Sequence, residues 1–392
     1  MRLLLTILTV LLCAKGSAQQ NRFSSDFTFS KQNFVDSIAI EYEQEQIFLP
    51  VSIDGRPYRF LLDTGAGMGA VFNDSDIDGV RPRGHIIAHD AIGRKDTVKM
   101  VTLPTLQIGD LKVYGYPATF QKRNRGRHQY DGIIGFDFLS KVLQSKIDIK
   151  NGLLVLTDRK DFFRREPYTA ELKYKLNLHV PYLTIEPFEG FKETVLFDTG
   201  SRKLFAMNRA HFEEAEDDLD GLDDEIEGRS IGRHAIGAFG TEKRGEVVFL
   251  SMKCLKIGRL ALKDVHALTT QGDSHLGAQF LEHAALIIDS KRKRMRLQTY
   301  ASSEEVVVGN EQMDMAFVND RNRPTVGLVW ERGLPYQLGF REGDVIEKIN
   351  DSDIRTFADF ARFRYIIGEK YVYTVRDRRG FLKTIAWERK LR

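Results

Sequence analysis

The chain has 392 residues, with 58 Lys and Arg against 55 Asp and Glu, so its formal charge is +3. That length predicts two or three domains. A composition 42% hydrophobic and 29% charged, with 10 prolines, excludes a disordered or collagenous chain. A charge so near balance gives no case for nucleic acid, and Cys13 and Cys254 alone support neither a disulfide framework nor a cysteine-rich zinc site.

In chain order, Arg2, the apolar run Leu3 to Leu12 and the small residues Gly16-Ser17-Ala18 have the pattern of a secretory signal over residues 1–18. Cleavage near Ala18 would leave a chain beginning at Gln19. Cys13 invites a lipid anchor, but Leu12 stands where such signals carry a small residue, so anchoring is not expected. No later stretch has the about 20 apolar residues of a membrane-spanning helix. The expected location is periplasmic or extracellular, with Cys254 as a small buried hydrophobe in a strand. Residues 19–45 read as a short pro-segment or a leading strand.

The rest of the chain repeats itself. Residues 48–73 alternate apolar and polar around an Asp54-Gly55 turn, a β-hairpin pattern that ends in Asp63-Thr64-Gly65. Residues 180–207 repeat the pattern and end in Asp198-Thr199-Gly200. Ala91-Ile92-Gly93 recurs as Ala235-Ile236-Gly237, and Gly135, Phe138 and Asp148 recur in order as Gly277, Phe280 and Asp289. Each half reads as all-β with one short helix, near Phe138–Leu143 and near Gln279–Ala285. The acidic run Glu213–Glu227 lacks the order of a calcium loop and reads as a solvated loop or helix. The basic run Lys291–Arg296 reads as a charged strand edge rather than an anion site. There is no Gly-rich phosphate loop, H-E-x-x-H or G-x-S-x-G.

A single Asp-Thr-Gly is an ordinary turn. Two copies, each following an apolar strand and each preceding a later segment ending in Gly (Ile133-Ile134-Gly135 and His275-Leu276-Gly277), resemble the aspartic peptidases, the bilobal pepsin and retroviral-protease group. The resemblance covers about residues 45–300 and implies two acid-protease-like β-barrel lobes, 45–160 and 170–300. It implies Asp63 and Asp198 as a catalytic dyad supported by Thr64, Gly65, Thr199 and Gly200, with flaps near His89, Ile92 and Gly93 and near Ile236 and Gly237. Two close carboxyls share one proton and can activate a water held between them, so neither metal nor organic cofactor is implied. The substrate would be a peptide or protein. Fused halves make dimerisation unnecessary, so a monomer is expected.

Three departures stand out. The flap segment Gly84–Met100 has no tyrosine and carries His85, His89 and Asp90, with His234 at the matching place in the second half. Each of these histidines reads first as an exposed loop residue; the alternative is a histidine near the flap tip, which would make activity respond to pH near 6 to 7. His275 replaces an apolar residue ahead of Gly277. Each half is smaller than a pepsin lobe, closer to a retroviral-type protomer duplicated and fused.

After Thr299 the pattern changes, with Ser302–Glu305 as a linker or strand start. Gly333-Leu334-Pro335 through Gly343-Asp344-Val345-Ile346 to Ile349-Asn350 is similar to bacterial PDZ domains, with Tyr336 and Leu338 in place of alanines and Asp351 in place of a glycine. The resemblance implies a PDZ domain over 305–390 that takes a peptide by strand addition, with Thr325–Val329 nearest the groove. The overall expectation is a mostly β, exported aspartic endopeptidase with a PDZ domain. The alternative is a non-catalytic, chaperone-like envelope protein that uses the cleft and groove only to hold chains.

Overall fold

A computed structural model describes residues 26–122, 130–366 and 368–388. The expected signal segment, with Cys13, lies outside the described residues. The protein is mostly β, and no described helix is long and apolar enough to cross a membrane.

The two halves lay down the same strands in the same spatial order. In the first lobe the strands Gln46–Ile53, Arg56–Asp63, Gly132–Gly135, Gly69–Phe72, Pro117–Gln121, Lys95–Thr102 and Arg81–His89 are neighbours in that order. In the second, Val180–Phe188, Phe191–Asp198, His275–Gly277, Phe205–Asn208, Leu260–Thr270, Gly245–Ile257 and Ile226–Gly232 repeat it. The short helix Phe136–Lys141 and the 3-10 turn Ala278–Glu282 follow the two glycine segments. Both lobes pair the strand carrying their aspartate in parallel with the glycine segment, so Asp63 lies opposite Gly135 and Asp198 opposite Gly277.

A six-stranded sheet joins the lobes, with Gln144–Asp148 of the first pairing antiparallel with Ala284–Asp289 of the second. One apolar core runs through both lobes, including Phe60, Leu62, Phe136 and Phe138 from the first and Phe197, Phe205, Phe212 and Phe280 from the second. The outer strand of the six is Val35–Ala39, paired with Leu153–Thr157, so residues ahead of 45 contribute a leading strand to the fold.

Other expectations shift once pairing is known. The strand Arg294–Thr299 is flanked on both sides, by Ala170–Lys173 and Ala284–Asp289, and is not an edge. Arg294 and Arg296 both pair with Glu171. The acidic run divides into the end of the helix Arg209–Asp218, capped by Asn208, a 3-10 turn Leu222–Glu225 and the start of the strand Ile226–Gly232. Cys254 sits in a strand but is only half-buried.

The C-terminal unit begins later than residue 305, because Glu305–Val307 pairs with Leu260–Thr270 of the second lobe. Its strands Met315–Asp320, Arg323–Val329, Val345–Ile349, Lys370–Arg376 and Leu382–Glu388 form one sheet in that order, with short helices at Leu334–Leu338 and Phe357–Arg362. It has its own core, including Phe340, Ile346, Tyr373 and Trp387. A smaller apolar cluster seals it to the second lobe, where Trp330 stacks on Phe249 with centroids 5.4 Å apart. Thr325–Val329 is flanked on both sides, and the outer strands of this sheet are Met315–Asp320 and Leu382–Glu388.

Candidate active site

The two Asp-Thr-Gly turns meet face to face between the lobes. The buried Thr64 hydroxyl donates to Phe197 O (2.6 Å) and accepts from Thr199 N (3.0 Å). Thr199 mirrors it, donating to Leu62 O (2.7 Å) and accepting from Thr64 N (3.0 Å). Four bonds thus tie each turn to the backbone of the other lobe, and none is left open to solvent. Asp63 Oδ1 accepts from Gly65 N (2.9 Å) and Ala66 N (3.1 Å), while Asp198 Oδ1 accepts from Gly200 N (2.9 Å) and Ser201 N (3.3 Å).

The glycines are required by this approach. A Cβ on Gly200 would stand 2.5 Å from Asp63 Cγ, and one on Gly65 would collide with the Asp198 carboxylate. Gly135 and Gly277 are crowded in turn by the backbone that follows each aspartate, at Ala66–Met68 and Ser201–Lys203. Burial, then the charge of Asp198 and a hydrogen bond to it, push the Asp63 carboxyl well above its ordinary value. Two carboxyls so placed titrate as a pair that retains one proton.

The dyad opens into a cavity of about 3360 Å³ that also touches both expected flaps and the C-terminal unit. The first flap is the hairpin Arg81–His89/Lys95–Thr102. Its tip is organised by Asp90, whose Oδ1 accepts from Ile92 N (3.2 Å) and Arg94 N (2.8 Å), with Gly93 at φ +75° completing the turn. The tip reaches across to the second half: Phe239 N donates to Asp90 Oδ2 (3.0 Å), Asp273 N donates to Ala91 O (3.2 Å), and Arg94 donates to Thr241 O. Ile92 is half-buried in the cavity wall, and His89 is exposed at its rim. Ile236 and Gly237 belong to a second hairpin, Ile236–Gly237/Gly240–Thr241, which faces the first.

The expectation for the second flap histidine is corrected. His234 is buried, and burial with the nearby Lys203 charge pulls it down to about 4, so it is neutral across the physiological range. Its Nε2 lies 2.8 Å from Thr269 O, which can only accept, so Nδ1 is left to accept from Lys203 Nζ at 3.3 Å. Burial lowers Lys203 to about 7. Glu242 closes this cluster, accepting from His234 N (2.7 Å), Ala235 N (2.8 Å), Gln271 N (3.0 Å) and the Thr270 hydroxyl (3.0 Å).

Sequence reasoning missed Lys203 and Glu242, which have no motif and meet only through the fold. It also missed Tyr116 and Asp137, which stand behind the first turn. There Gly135 N donates to Tyr116 Oη (3.1 Å), and Tyr116 donates to Asp137 Oδ1 (2.9 Å). Among the described residues no group of His, Cys, Asp and Glu could hold a metal ion.

Residues 49–138 match the family model described as Aspartyl protease, and the chain has an aspartic protease-like fold. Two solved structures are similar: Basic 7S globulin from soybean, with 9% identity, TM-score 0.42, 67% of this chain and 94% of that one, and an aspartic proteinase from Irpex lacteus, with 11% identity, TM-score 0.41, 69% of this chain and 100% of that one. No curated protein sequence matches the chain.

Proposed function

We propose that the chain is an aspartic-type endopeptidase acting through Asp63 and Asp198. The observation that carries this reading is the reciprocal Thr64–Thr199 bonding, which holds the two carboxyls together in one cavity. The charged member takes a proton from a water held between the carboxyls, and the water oxygen bonds to the peptide carbonyl carbon. The protonated member polarises the carbonyl oxygen. It passes its proton to that oxygen to give a diol, which collapses as the deprotonated carboxyl takes a proton from a diol hydroxyl, the C–N bond breaks and the other carboxyl delivers a proton to the departing nitrogen. Every group in this sequence belongs to the chain, the substrate or water.

The C-terminal unit is read as a PDZ-like domain that binds a peptide or a partner. Its outer strand Met315–Asp320 pairs on one side only within its sheet, which suits strand addition, and Phe317 and Phe360 face the shared cavity. The signal pattern at residues 1–18 supports an exported protein, periplasmic or extracellular, and the fused lobes support a monomer.

The test is cleavage of a mixed peptide library between pH 3 and 8 by the full chain, read by mass spectrometry beside Asp63→Asn and Asp198→Asn. Cut peptides that vanish in both variants support the reading. No cutting at any pH, with peptides still bound, favours the chain-holding alternative.

A further inference from the structure

The two lobes present the dyad with matching rows of side chains that differ in chemistry. Residues directly opposite each other on paired strands project from the same face. In the first lobe Phe48, Leu61, Ile133 and Ala70 form one such row across four strands. In the second the same places hold Tyr182, Leu196, His275 and Ala206. Leu61 and Leu196 each precede their aspartate by two positions, so each row shares a face with its carboxylate. Ile133 and His275 are half-exposed to the cavity, while their neighbours Ile134 and Leu276 are fully buried behind them.

The first-lobe half of the cavity floor is apolar, with Leu61, Met68, Ala70, Phe72 and Ile133 in its wall. On the second-lobe side the wall around His275 is polar, with Tyr182 and Asp273 beside it, while the donors Arg202 and Lys203 lie further along the wall and are turned to Gln46 and His234. His275 Nδ1 lies 2.9 Å from Asp273 O, which cannot donate, so the neutral imidazole keeps its proton on Nδ1 and turns Nε2 to the cavity as an acceptor. The Tyr182 hydroxyl gives its proton to Asp273 Oδ2 at 2.7 Å, so its oxygen is also left as an acceptor. The Asp273 carboxylate accepts by nature. Tyr182 lies opposite Leu196, two positions ahead of Asp198, in the wall of the same cavity. Three acceptors and one negative charge, with no donor among them, match a side chain that donates only and is positively charged.

We infer that the cleft selects a peptide bond flanked by an apolar or aromatic residue on the first-lobe side and by lysine or arginine on the second-lobe side, recognised by His275, Tyr182 and Asp273. This rests on the peptidase reading above and names its substrate class. The three residues bind substrate without taking part in bond cleavage.

The test uses the full chain and matched peptides that differ only at the residue beside the apolar one: Lys, Arg, Leu or Glu. Cleavage of the Lys and Arg peptides is expected to be about tenfold or more faster than that of the Leu or Glu peptides, the scale of a charge-assisted hydrogen bond. His275→Ile, which copies the first lobe, and Asp273→Asn should each bring that ratio towards one or reverse it in favour of Leu. An unchanged ratio in both variants, or a wild type that prefers Leu or Glu, overturns the inference. If the wild type cuts none of the peptides, the peptidase reading fails separately. The inference is then decided by fluorescence anisotropy with the same peptides, labelled, on the Asp63→Asn chain, where equal affinity for the Lys and Leu peptides overturns it.

Discussion

In the first lobe, the strand behind the Asp63-Thr64-Gly65 turn is backed by a short neutral chain: Gly135 N, the Tyr116 hydroxyl and the Asp137 carboxyl, all buried. In the second lobe the loop that follows Asp198 leads into Lys203, which meets His234 at the root of one flap and the Met313 sulphur at 3.4 Å on the way to the C-terminal unit, while Glu242 on the other side of that flap lies 3.7 Å from His234. The dyad itself is nearly symmetric because both turns must make the same four bonds. Its surroundings are free to differ, and they do. One side fixes an aspartate and little else, whereas the other ties its aspartate to a flap and to a separate domain. A duplicated fold can thus keep a symmetric reaction centre while one half acquires the connections.

The strongest test of that symmetry is to remove either carboxylate. Asp63→Asn and Asp198→Asn are each expected to reduce kcat by about 10³-fold or more, because the water loses its base or the carbonyl its acid. Equal losses would establish one shared centre. Retained activity in either variant would mean that the lobes do not act on one water.

The backing groups separate the lobes by pH. Burial raises Asp137 to about 8, and its Oδ2 has no hydrogen-bond partner. A carboxyl raised in the folded state is protonated there while the unfolded chain ionises from about pH 4 upward. Its contribution to stability is therefore greatest at or below pH 4 and is lost as pH rises towards 8, by at most about 1.4 kcal/mol per pH unit. Asp137→Asn keeps an oxygen for Tyr116 and cannot ionise, so its unfolding free energy should fall less than that of the wild type over this range. Denaturant titrations at pH 5, 6, 7 and 8 measure the difference, and parallel curves would show Asp137 to be charged in the fold.

What could be read in advance was whatever the chain writes locally. Alternating strands, the Asp54-Gly55 turn and the repeated Asp-Thr-Gly are patterns of neighbouring residues, and together they specify two matching β lobes. The replacement of an apolar residue by His275 was visible as well, although its meaning depends on Tyr182 from another strand and on how the loop residue Asp273, two positions ahead, turns its carbonyl to the ring. Burial of His234 was not legible, because a histidine in a glycine-rich hairpin looks exposed until Lys203, Thr269 and Glu242 close around it. The strand order of the C-terminal unit was not legible for the same reason. Apolar alternation marks Thr325–Val329 as a strand, but only the pairing order shows it flanked on both sides.

The interlobe threonines sharpen the comparison at the next scale. Thr64→Ala would leave Phe197 O and Thr199 N without their partner, and Thr199→Ala would strand Leu62 O and Thr64 N. Each change should cost about 2 kcal/mol in stability, with equal losses if the bonding is as symmetric as the geometry. The serine variants retain the hydroxyl and should recover most of the loss in thermal unfolding. A serine as damaging as alanine would place the effect in the methyl group's packing.

The smallest expected effect concerns the flaps, where the asymmetry should appear as motion. The second hairpin is anchored at its root by Glu242 and to the C-terminal unit by Arg233–Asp320 (3.3 Å) and the packing of Ile236 against that unit's core. The first hairpin is exposed along much of its length and is held mainly at its tip, where Asp90 and Arg94 grip the backbone of Phe239 and Thr241. Opening for substrate should therefore fall to the first flap. Arg94→Ala removes two donors from a partly solvated contact and should weaken closure by about 1 kcal/mol. The expected result is a severalfold rise in KM with a smaller change in kcat, and faster hydrogen exchange over residues 86–96 than over 234–242. Faster exchange in the second hairpin instead would identify the domain-anchored flap as the moving one and reverse the roles of the two halves.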